Sequence, residues 1–199
     1  MSKIAVHEIG SIDLPAPQWE RAEPLLKLLA QRRSSREFSP KSLPLEMLSA
    51  LLWAAFGVNR STTGGRTAPS AHNWQEVEVF AVLSDGAYRY DAAMHRLHLM
   101  RSGDLRALTG VQDFVGGAPL DLVYVADFAK MTDATEEQRT FFASADAAVI
   151  AENVYLFCAA VDLATVVRGL LDRRKLAAAL GLTSSQRIVL AQTVGYPAH

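Results

Sequence analysis

The chain has 199 residues, of which 50% are hydrophobic and 21% are charged, which fits one globular domain with a substantial core. Its 20 basic and 21 acidic residues give a net charge of -1, so the basic excess typical of nucleic-acid-binding proteins is absent. The single cysteine, Cys158, excludes an intramolecular disulfide framework and a zinc site built from cysteines.

The distribution of polar residues argues against targeting and membrane segments. Lys3 and Glu8 interrupt the N-terminal stretch, so it lacks the apolar core of a signal peptide. The longest apolar stretch, 143–161, contains Asp146 and Glu152 and is too polar to span a bilayer comfortably. We therefore expect a cytoplasmic protein that binds neither membrane nor nucleic acid.

Hydrophobic periodicity and turn residues predict the elements along the chain. The N-terminal part contains an extended arm over 1–18, a helix ending near Gln31, and a helix over 45–56 with Ser42 as N-cap, Pro44 in its first turn and its end at Gly57. A polar loop over 58–75, a strand over 76–83, weak helix and loop over 92–108, and a strand over 120–126 follow. The C-terminal part contains a buried helix over 143–161, a strand over 163–167, a helix over 171–180 closed by Gly181, and a strand over 188–194. Strict alternation of strands and helices is absent, which favours an α+β fold with a mixed sheet and flanking helices. No linker or repeat divides the chain, so we expect one domain over 19–199.

Three segments carry residues suited to ligand binding. Arg32-Arg33-Ser34-Ser35-Arg36 offers three guanidinium groups and two hydroxyls, which can bind a phosphate; composition alone favours a solvated helix end, where cations are also stabilised. The loop 65–75 combines small residues, a proline and an amide, as suits close approach to a planar polar ligand, although an ordinary surface loop is equally compatible. The segment 163–169 is a strand end, a common ligand position, and a plain strand-to-turn transition is the alternative.

Other catalytic patterns are missing. The sequence has no dinucleotide-binding glycine motif, no P-loop and no nucleophile elbow. His95 and His98 are spaced for a metal pair but lack a nearby carboxylate motif. Asp146 and Glu152 fall on different faces of their helix, which argues against an acid/base pair. Hydrolytic and metal-dependent chemistry therefore have little support.

Taken in order, the segments resemble the nitroreductase family of FMN-dependent oxidoreductases. Arg32–Phe38 is similar to the family's opening Arg-Arg-Ser-x-Arg-x-Phe, and Pro69–Asn73 to its Pro-Ser-small-x-Asn loop. The long helix carries Asn153, as the family's central helix carries an Asn, and Val194–Pro197 is similar to the closing Val-Gly-x-Pro. The resemblance covers about residues 25–197.

Within the family, two segments resemble the SagB-type dehydrogenase branch. They are the run 66–71 and the segment Tyr88-Arg89-Tyr90-Asp91. Some members of that branch oxidise azoline rings in peptides, so the resemblance leaves a peptide substrate as an alternative to a small molecule.

The resemblance implies an α+β homodimer, with a mainly antiparallel sheet and one FMN per subunit at the interface. The FMN phosphate and ribityl chain would be held by Arg32, Ser34 and Arg36, with a main-chain contribution from Arg33. The flavin would be lined from the partner subunit by Pro69, Ser70, Ala71 and Asn73. The isoalloxazine would lie against Val166, Val167 and Arg168, with Gly169 beside them.

The same resemblance implies an NAD(P)H-dependent oxidoreductase that passes a hydride through the flavin to a small electron-deficient acceptor. The flavin would carry the chemistry, so no catalytic side chain is expected. A flavin-binding protein without turnover, with a structural or regulatory role, and an azoline-oxidising dehydrogenase are the alternatives.

Three departures from the family pattern bear on these expectations. The family's Gly-Leu-Gly turn is Asp162-Leu163-Ala164 here, and its acidic residue near the flavin edge is Arg168. A cation there is expected to stabilise a negatively charged reduced flavin or to bind an acidic substrate. The family's phosphate-binding Lys or Arg after the last strand is also missing, so the N-terminal arginines suffice, flavin affinity is reduced, or Arg66 substitutes.

Overall fold

A computed structural model describes residues 10–17 and 23–198. The predicted arm lies partly outside these ranges, but its residues Ser11–Asp13 form a strand that joins the main sheet. The arm is thus part of the sheet over the portion that the structure describes.

The described residues form nine strands, four α-helices and three short 3-10 turns. The strands are β1 (Ser11–Asp13), β2 (Val58–Arg60), β3 (Gly65–Arg66), β4 (Val77–Val82), β5 (Gly86–Asp91), β6 (Arg96–Ser102), β7 (Leu120–Asp127), β8 (Ala164–Arg168) and β9 (Gln186–Gly195). The helices are α1 (Leu25–Gln31), α2 (Leu45–Phe56), α3 (Glu136–Ala160) and α4 (Arg173–Leu180), and the 3-10 turns are Ala71–Asn73, Arg106–Leu108 and Phe128–Lys130.

A seven-stranded sheet organises the fold, in the order β1-β6-β5-β4-β7-β9-β8, and all its described pairings are antiparallel. The central strand β7 alternates its side chains between two cores. Leu122 and Tyr124 join the core formed with α2 and α3, whereas Val123 and Val125 join the core formed with α4. The sheet is therefore a middle layer between helices, which confirms the α+β expectation.

Helix α3 begins seven residues before its predicted start at 143. Thr135 caps it: the Thr135 side chain accepts from the Gln138 backbone N–H, and the Gln138 side chain accepts from the Thr135 N–H. The polar first turns hid this start from the hydrophobic pattern. By length and composition α3 matches a membrane span, but Ile150 and Val154 lie fully buried in the core beside the sheet, as in the core helix of a globular domain.

Two local predictions are wrong. The segment 92–108 is not weak helix and loop, because β5 and β6 form a hairpin there; Asp91 accepts from the backbone N–H groups of Ala93 and Met94 and so fixes the turn. Ser42 does not cap α2, which begins after Pro44 without a side-chain cap.

The loop predicted over 58–75 contains more structure than expected. Strands β2 and β3 form a small separate hairpin, and the 3-10 turn follows. The predicted ends of α2 at Gly57 and of α4 at Gly181 are confirmed, and Gly181 has the left-handed φ of +71° that suits glycine.

Candidate functional site

The arginine segment, residues 32–36 after α1, lies beside β8, the strand at one edge of the sheet. The Ser35 N–H donates to the Thr165 carbonyl on edge strand β8 at 2.9 Å, and the Ser39 N–H donates to the Tyr196 carbonyl at 2.8 Å. Phe38 forms a bridge with Pro197. Backbone bonds at both ends therefore hold the segment against β8 and the residues after β9.

Tyr155 of α3, which no sequence motif indicated, connects this segment to β8. Its hydroxyl lies 2.8 Å from the Ser34 hydroxyl and accepts from the Val167 N–H at 2.9 Å. The Arg32 guanidinium lies over its ring, 5.2 Å from the centroid. The available signal was an amphipathic aromatic residue within the apolar run of α3, since a buried tyrosine hydroxyl usually has a partner.

A cavity of about 510 Å³ opens beside Tyr155, within the range of roughly 300–1,000 Å³ typical of small-molecule sites. Arg32, Arg33 and Thr165 line it. Within residues 10–17 and 23–198, none of Arg32, Arg33 and Arg36 forms an ion pair. Uncompensated guanidinium groups beside a cavity of this size fit a phosphate-bearing ligand such as FMN.

Strand β8 lines the cavity with Ala164 and Thr165, whereas Val166, Val167, Arg168 and Gly169 do not line it. Val167 is half-buried, and Gly169 is exposed. The Arg168 side chain is directed into the core: it donates to the Thr109 carbonyl at 2.7 Å and to Asp121 at 2.7 Å. The expectation that this cation faces a flavin or an acidic substrate is therefore wrong, because the guanidinium is enclosed and only the backbone of Arg168 remains available.

The Arg168–Asp121 pair is closely packed. Asp121 is fully buried, and Thr193 also donates to it. Burial raises the pKa of Asp121 to about 6, against the opposing influence of the Arg168 guanidinium. Gly110 leaves room for this arrangement, because a Cβ on it would lie 2.0 Å from Arg168 Nη1.

The Pro69–Asn73 loop lies elsewhere along α3. The Ala71 N–H donates to Asp146 at 2.9 Å, and Asp146 precedes Tyr155 by nine residues, about 14 Å along the axis and on the opposite side of the helix. Within one chain, the structure therefore does not bring Pro69, Ser70, Ala71 and Asn73 together with the arginine segment.

The same loop has an unusual backbone. His72, Asn73 and Gln75 all have positive φ, between +47° and +55°, a region that is uncommon for residues other than glycine. Ser70 donates to Glu76 at 3.1 Å and accepts from the Gln75 N–H at 2.9 Å. Backbone strain of this kind concentrates at binding sites.

Glu76 and Asp146 form a buried carboxyl pair beneath the loop. Glu76 is fully buried, and Asp146 is 8% exposed. Burial, together with the charge of Asp146, raises the pKa of Glu76, so this carboxyl holds its proton to a higher pH than an exposed glutamate does. Asp146 is therefore paired with a carboxyl from the chain before β4 and not with Glu152 of its own helix.

The remaining candidates have separate partners. Arg66 donates to Gln75 at 2.9 Å and lies over the Phe56 ring, and it does not line the cavity beside Tyr155. His95 contacts Ser49, and His98 contacts Asp91. The two histidines do not converge on one site.

Asp162, which stands at the first position of the family's Gly-Leu-Gly turn, has a φ of +56°. Aspartate adopts this left-handed conformation more readily than most residues other than glycine. The turn between α3 and β8 therefore has a left-handed residue at its first position without a glycine there, and Asp162 lines the cavity beside Tyr155.

Comparison with known proteins places this geometry in a family. The crystal structure of a "putative nitroreductase" from Ralstonia eutropha JMP134 is 46% identical, with a TM-score of 0.92 over 100% of this chain and 95% of that chain. The "Putative nitroreductase MJ1384" of Methanocaldococcus jannaschii is 29% identical over 169 residues, which cover 80% of this chain and 84% of that protein.

A more distant structure shares the fold. The NADPH:FMN oxidoreductase from Vibrio harveyi, complexed with NAD+, has a TM-score of 0.66 and 19% identity over 88% of this chain and 69% of that chain. The model of the Nitroreductase family matches residues 29–196, a range that contains the arginine segment, the loop and the end of β8. The chain therefore belongs to the nitroreductase family.

Proposed function

We propose that this protein is an FMN-dependent NAD(P)H oxidoreductase that reduces small electron-deficient acceptors. The observation that carries the proposal is the cavity beside Tyr155, where Arg32 and Arg33 offer guanidinium groups that form no ion pair with the residues the structure describes. Ser34 and Val167 meet at the same tyrosine hydroxyl. Positive charge thus lies at one side of the cavity and neutral backbone groups of β8 at the other, as a flavin phosphate and ring require.

In this proposal the protein binds and orients, and bound FMN supplies the hydride transfer. Arg32, Ser34 and Arg36 hold the phosphate and ribityl chain, and the Arg33 backbone contributes beside them. Tyr155 fixes the position of the β8 backbone toward the ring. Val166, Val167, Arg168 and Gly169 provide the main-chain surface against the isoalloxazine.

We further propose that the active form is a homodimer. Helix α1 has no buried residues, and Leu26 is 80% exposed. On α3, Phe141 and Val149 are exposed as well. Apolar patches of this kind mark interaction surfaces, and a second copy would bring its own strained loop of Pro69, Ser70, Ala71 and Asn73 to the flavin, which one chain alone does not.

Absorption spectroscopy of the purified protein tests the proposal directly. The spectrum is recorded as isolated, after addition of FMN, and after anaerobic addition of NADPH or NADH. We expect flavin bands that bleach with the nicotinamide and return when an acceptor is added. A protein that takes up FMN but never bleaches is the flavin-binding protein without turnover, and one that takes up no FMN refutes the cofactor assignment.

The electron acceptor that reoxidises the protein distinguishes the proposed activity from that of an azoline-oxidising dehydrogenase. A small nitroaromatic or quinone that reoxidises the reduced protein supports the proposed activity. Reoxidation that requires an azoline-containing peptide supports the SagB-type alternative instead.

A cytoplasmic location is part of the proposal, and it rests on the single buried thiol of Cys158, which leaves no disulfide within the chain.

A further inference from the structure

A second cavity lies where two strands of the sheet separate. Strands β4 and β5 pair only from Phe80–Arg89 to Val82–Ala87, although β4 begins at Val77 and β5 continues to Asp91. A cavity of about 180 Å³ occupies the gap. Because an interrupted ladder gives up hydrogen bonds inside a sheet, such a gap calls for an explanation.

Three cations from three different elements converge on this cavity. Arg66 belongs to β3, Arg89 to β5, and Lys130 to the 3-10 turn after β7. The carboxylates of Glu78 and Asp91 also line it. Formal charge alone therefore leaves a small positive excess, and the hydrogen-bond partners decide what the cavity can bind.

The two carboxylates have their oxygens occupied. Asp91 Oδ1 accepts from two backbone N–H groups of the following turn, and Asp91 Oδ2 lies 3.3 Å from His98. Glu78 Oε2 accepts from Gln186 at 2.7 Å, and Glu78 Oε1 accepts from Arg89 at 3.3 Å. Little acceptor capacity is left for a ligand donor.

The cations use only part of their donor capacity. Lys130 Nζ donates to the Gln75 carbonyl at 3.3 Å and lies 3.6 Å from Glu78 Oε1, which leaves one of its three N–H groups. Each guanidinium carries five N–H groups. Arg89 donates from Nη1, while its Nε is buried without a partner. Arg66 donates from Nε to Gln75 and from Nη1 to the Phe56 carbonyl at 3.4 Å, and its Nη2 has no partner among the described residues. Burial lowers the pKa of Arg66. The cavity therefore offers unused hydrogen-bond donors on positively charged side chains.

We propose that this cavity binds a single oxyanion, the carboxylate or phosphate group of a ligand. Its volume is too small for a whole flavin or dinucleotide, so one terminal group enters. Arg66 also holds Gln75, and Gln75 in turn donates to Asn73 at 3.1 Å. The bound anion would therefore lie next to the loop that the proposed function assigns to the flavin of the second subunit. Which ligand carries the oxyanion rests on that proposed function.

Binding of inorganic phosphate to the FMN-loaded protein, followed by titration calorimetry, tests the site itself. FMN fills the arginine segment, so added phosphate reports on the second cavity. We expect Arg89→Gln and Lys130→Gln to weaken phosphate binding by about tenfold, the loss of one charge-assisted contact. Both side chains are about 40% exposed, and their melting curves confirm folding.

Arg174→Gln is the matched control, since Arg174 is exposed on α4 and outside the cavity, and it should bind phosphate as the wild type does. Repeating the titration in the Arg32→Ala/Arg36→Ala background keeps the test valid if the protein takes up no FMN. Phosphate binding that is absent in the wild type, or unchanged in both cavity variants, would overturn the proposal.

Kinetics distinguish the two sources of the oxyanion. A raised KM for 4-nitrobenzoate in Arg89→Gln, with 4-nitrobenzyl alcohol unaffected, identifies the carboxylate of the acceptor. A raised KM for NADPH with NADH unaffected identifies the phosphate of the nicotinamide nucleotide. Both results support an oxyanion site, and Arg174→Gln should change neither.

Discussion

The hydroxyl of Tyr155 lies 2.8 Å from Ser34, 121 positions earlier in the chain, and accepts from the Val167 N–H at 2.9 Å. One side chain on the central helix therefore joins the arginine segment to the strand end. In the proposed complex these two parts hold opposite ends of the flavin, so the tyrosine sets the distance between them.

Tyr155→Phe should weaken FMN binding by about tenfold while the fold survives. The variant keeps the aromatic ring under Arg32 but leaves the half-buried Val167 N–H without its acceptor, a loss of about 1–3 kcal/mol. Fluorescence titration of the flavin measures the affinity. Tyr196→Phe is a suitable control, because the ring that Lys41 covers is retained. Equal affinity in the two variants would remove Tyr155 from the proposed site.

Arg32→Ala combined with Arg36→Ala should strip the flavin from the protein. Two charge-assisted contacts at about 1.5–3 kcal/mol each predict a loss of affinity of at least about 100-fold. Bound flavin per subunit after desalting is the measurement, with Arg96→Ala/Arg174→Ala as a control of equal charge. Full flavin occupancy in the Arg32→Ala/Arg36→Ala variant would refute the assignment of these two arginines to the FMN phosphate.

The parts that the sequence predicted are those with a local signal. Strand β7 has a nearly unbroken apolar run, and α2 has an apolar stripe that stops at Gly57, so both were recognised. The β5–β6 hairpin was missed because β6 buries only Leu97 fully, which leaves its alternation weak. The role of Arg168 depends on Asp121, 47 residues away, and no local pattern predicts such a pair.

Site prediction met the same limit. The arginine segment was recognisable from its composition and order, but its anchoring depends on Thr165 and Tyr155, which come from distant parts of the chain. The loop at Ala71 was recognised from its motif, whereas its carboxyl support from Asp146 arises only after α3 packs beside it. Chemical type is visible in sequence; which groups meet is a property of the fold.

The contribution of Glu76 to the stability of the wild type should fall as pH rises above about 4.5, the ordinary pKa of glutamate. The pKa of Glu76 is raised in the folded state by burial and by Asp146, so the folded chain holds this proton more tightly than the unfolded chain, and the advantage is lost as pH increases. Glu76→Gln should therefore gain stability relative to the wild type with rising pH. Urea unfolding across this range tests it, with the exposed Asp113→Asn as control. Parallel pH profiles for wild type and Glu76→Gln would contradict the prediction.

Arg168→Leu should lower the free energy of unfolding by about 3–5 kcal/mol, because it leaves the carboxylate of the fully buried Asp121 without its ion-pair partner. Gly110→Ala should also destabilise the protein, since its Cβ would displace the same guanidinium. For comparison, Arg96→Leu breaks an exposed pair with Asp13 and should cost about 0–1 kcal/mol. Urea unfolding measures all three. A small effect of Arg168→Leu on stability, together with a large effect on turnover, would show that the Arg168 side chain acts at the flavin and not in the core.

Position 162 should tolerate glycine and reject β-branched residues. Asp162 has a φ of +56°; glycine relieves the strain of that conformation but adds entropy to the unfolded chain, so Asp162→Gly should change stability by less than about 1 kcal/mol. Asp162→Val should cost about 1–2 kcal/mol, because its branched Cβ crowds the carbonyl in the left-handed region. Thermal unfolding distinguishes them. The valine variant should also weaken FMN binding, since the turn forms part of the cavity beside Tyr155. Equal melting temperatures for glycine and valine would show that the turn between α3 and β8 adjusts freely and does not constrain the site.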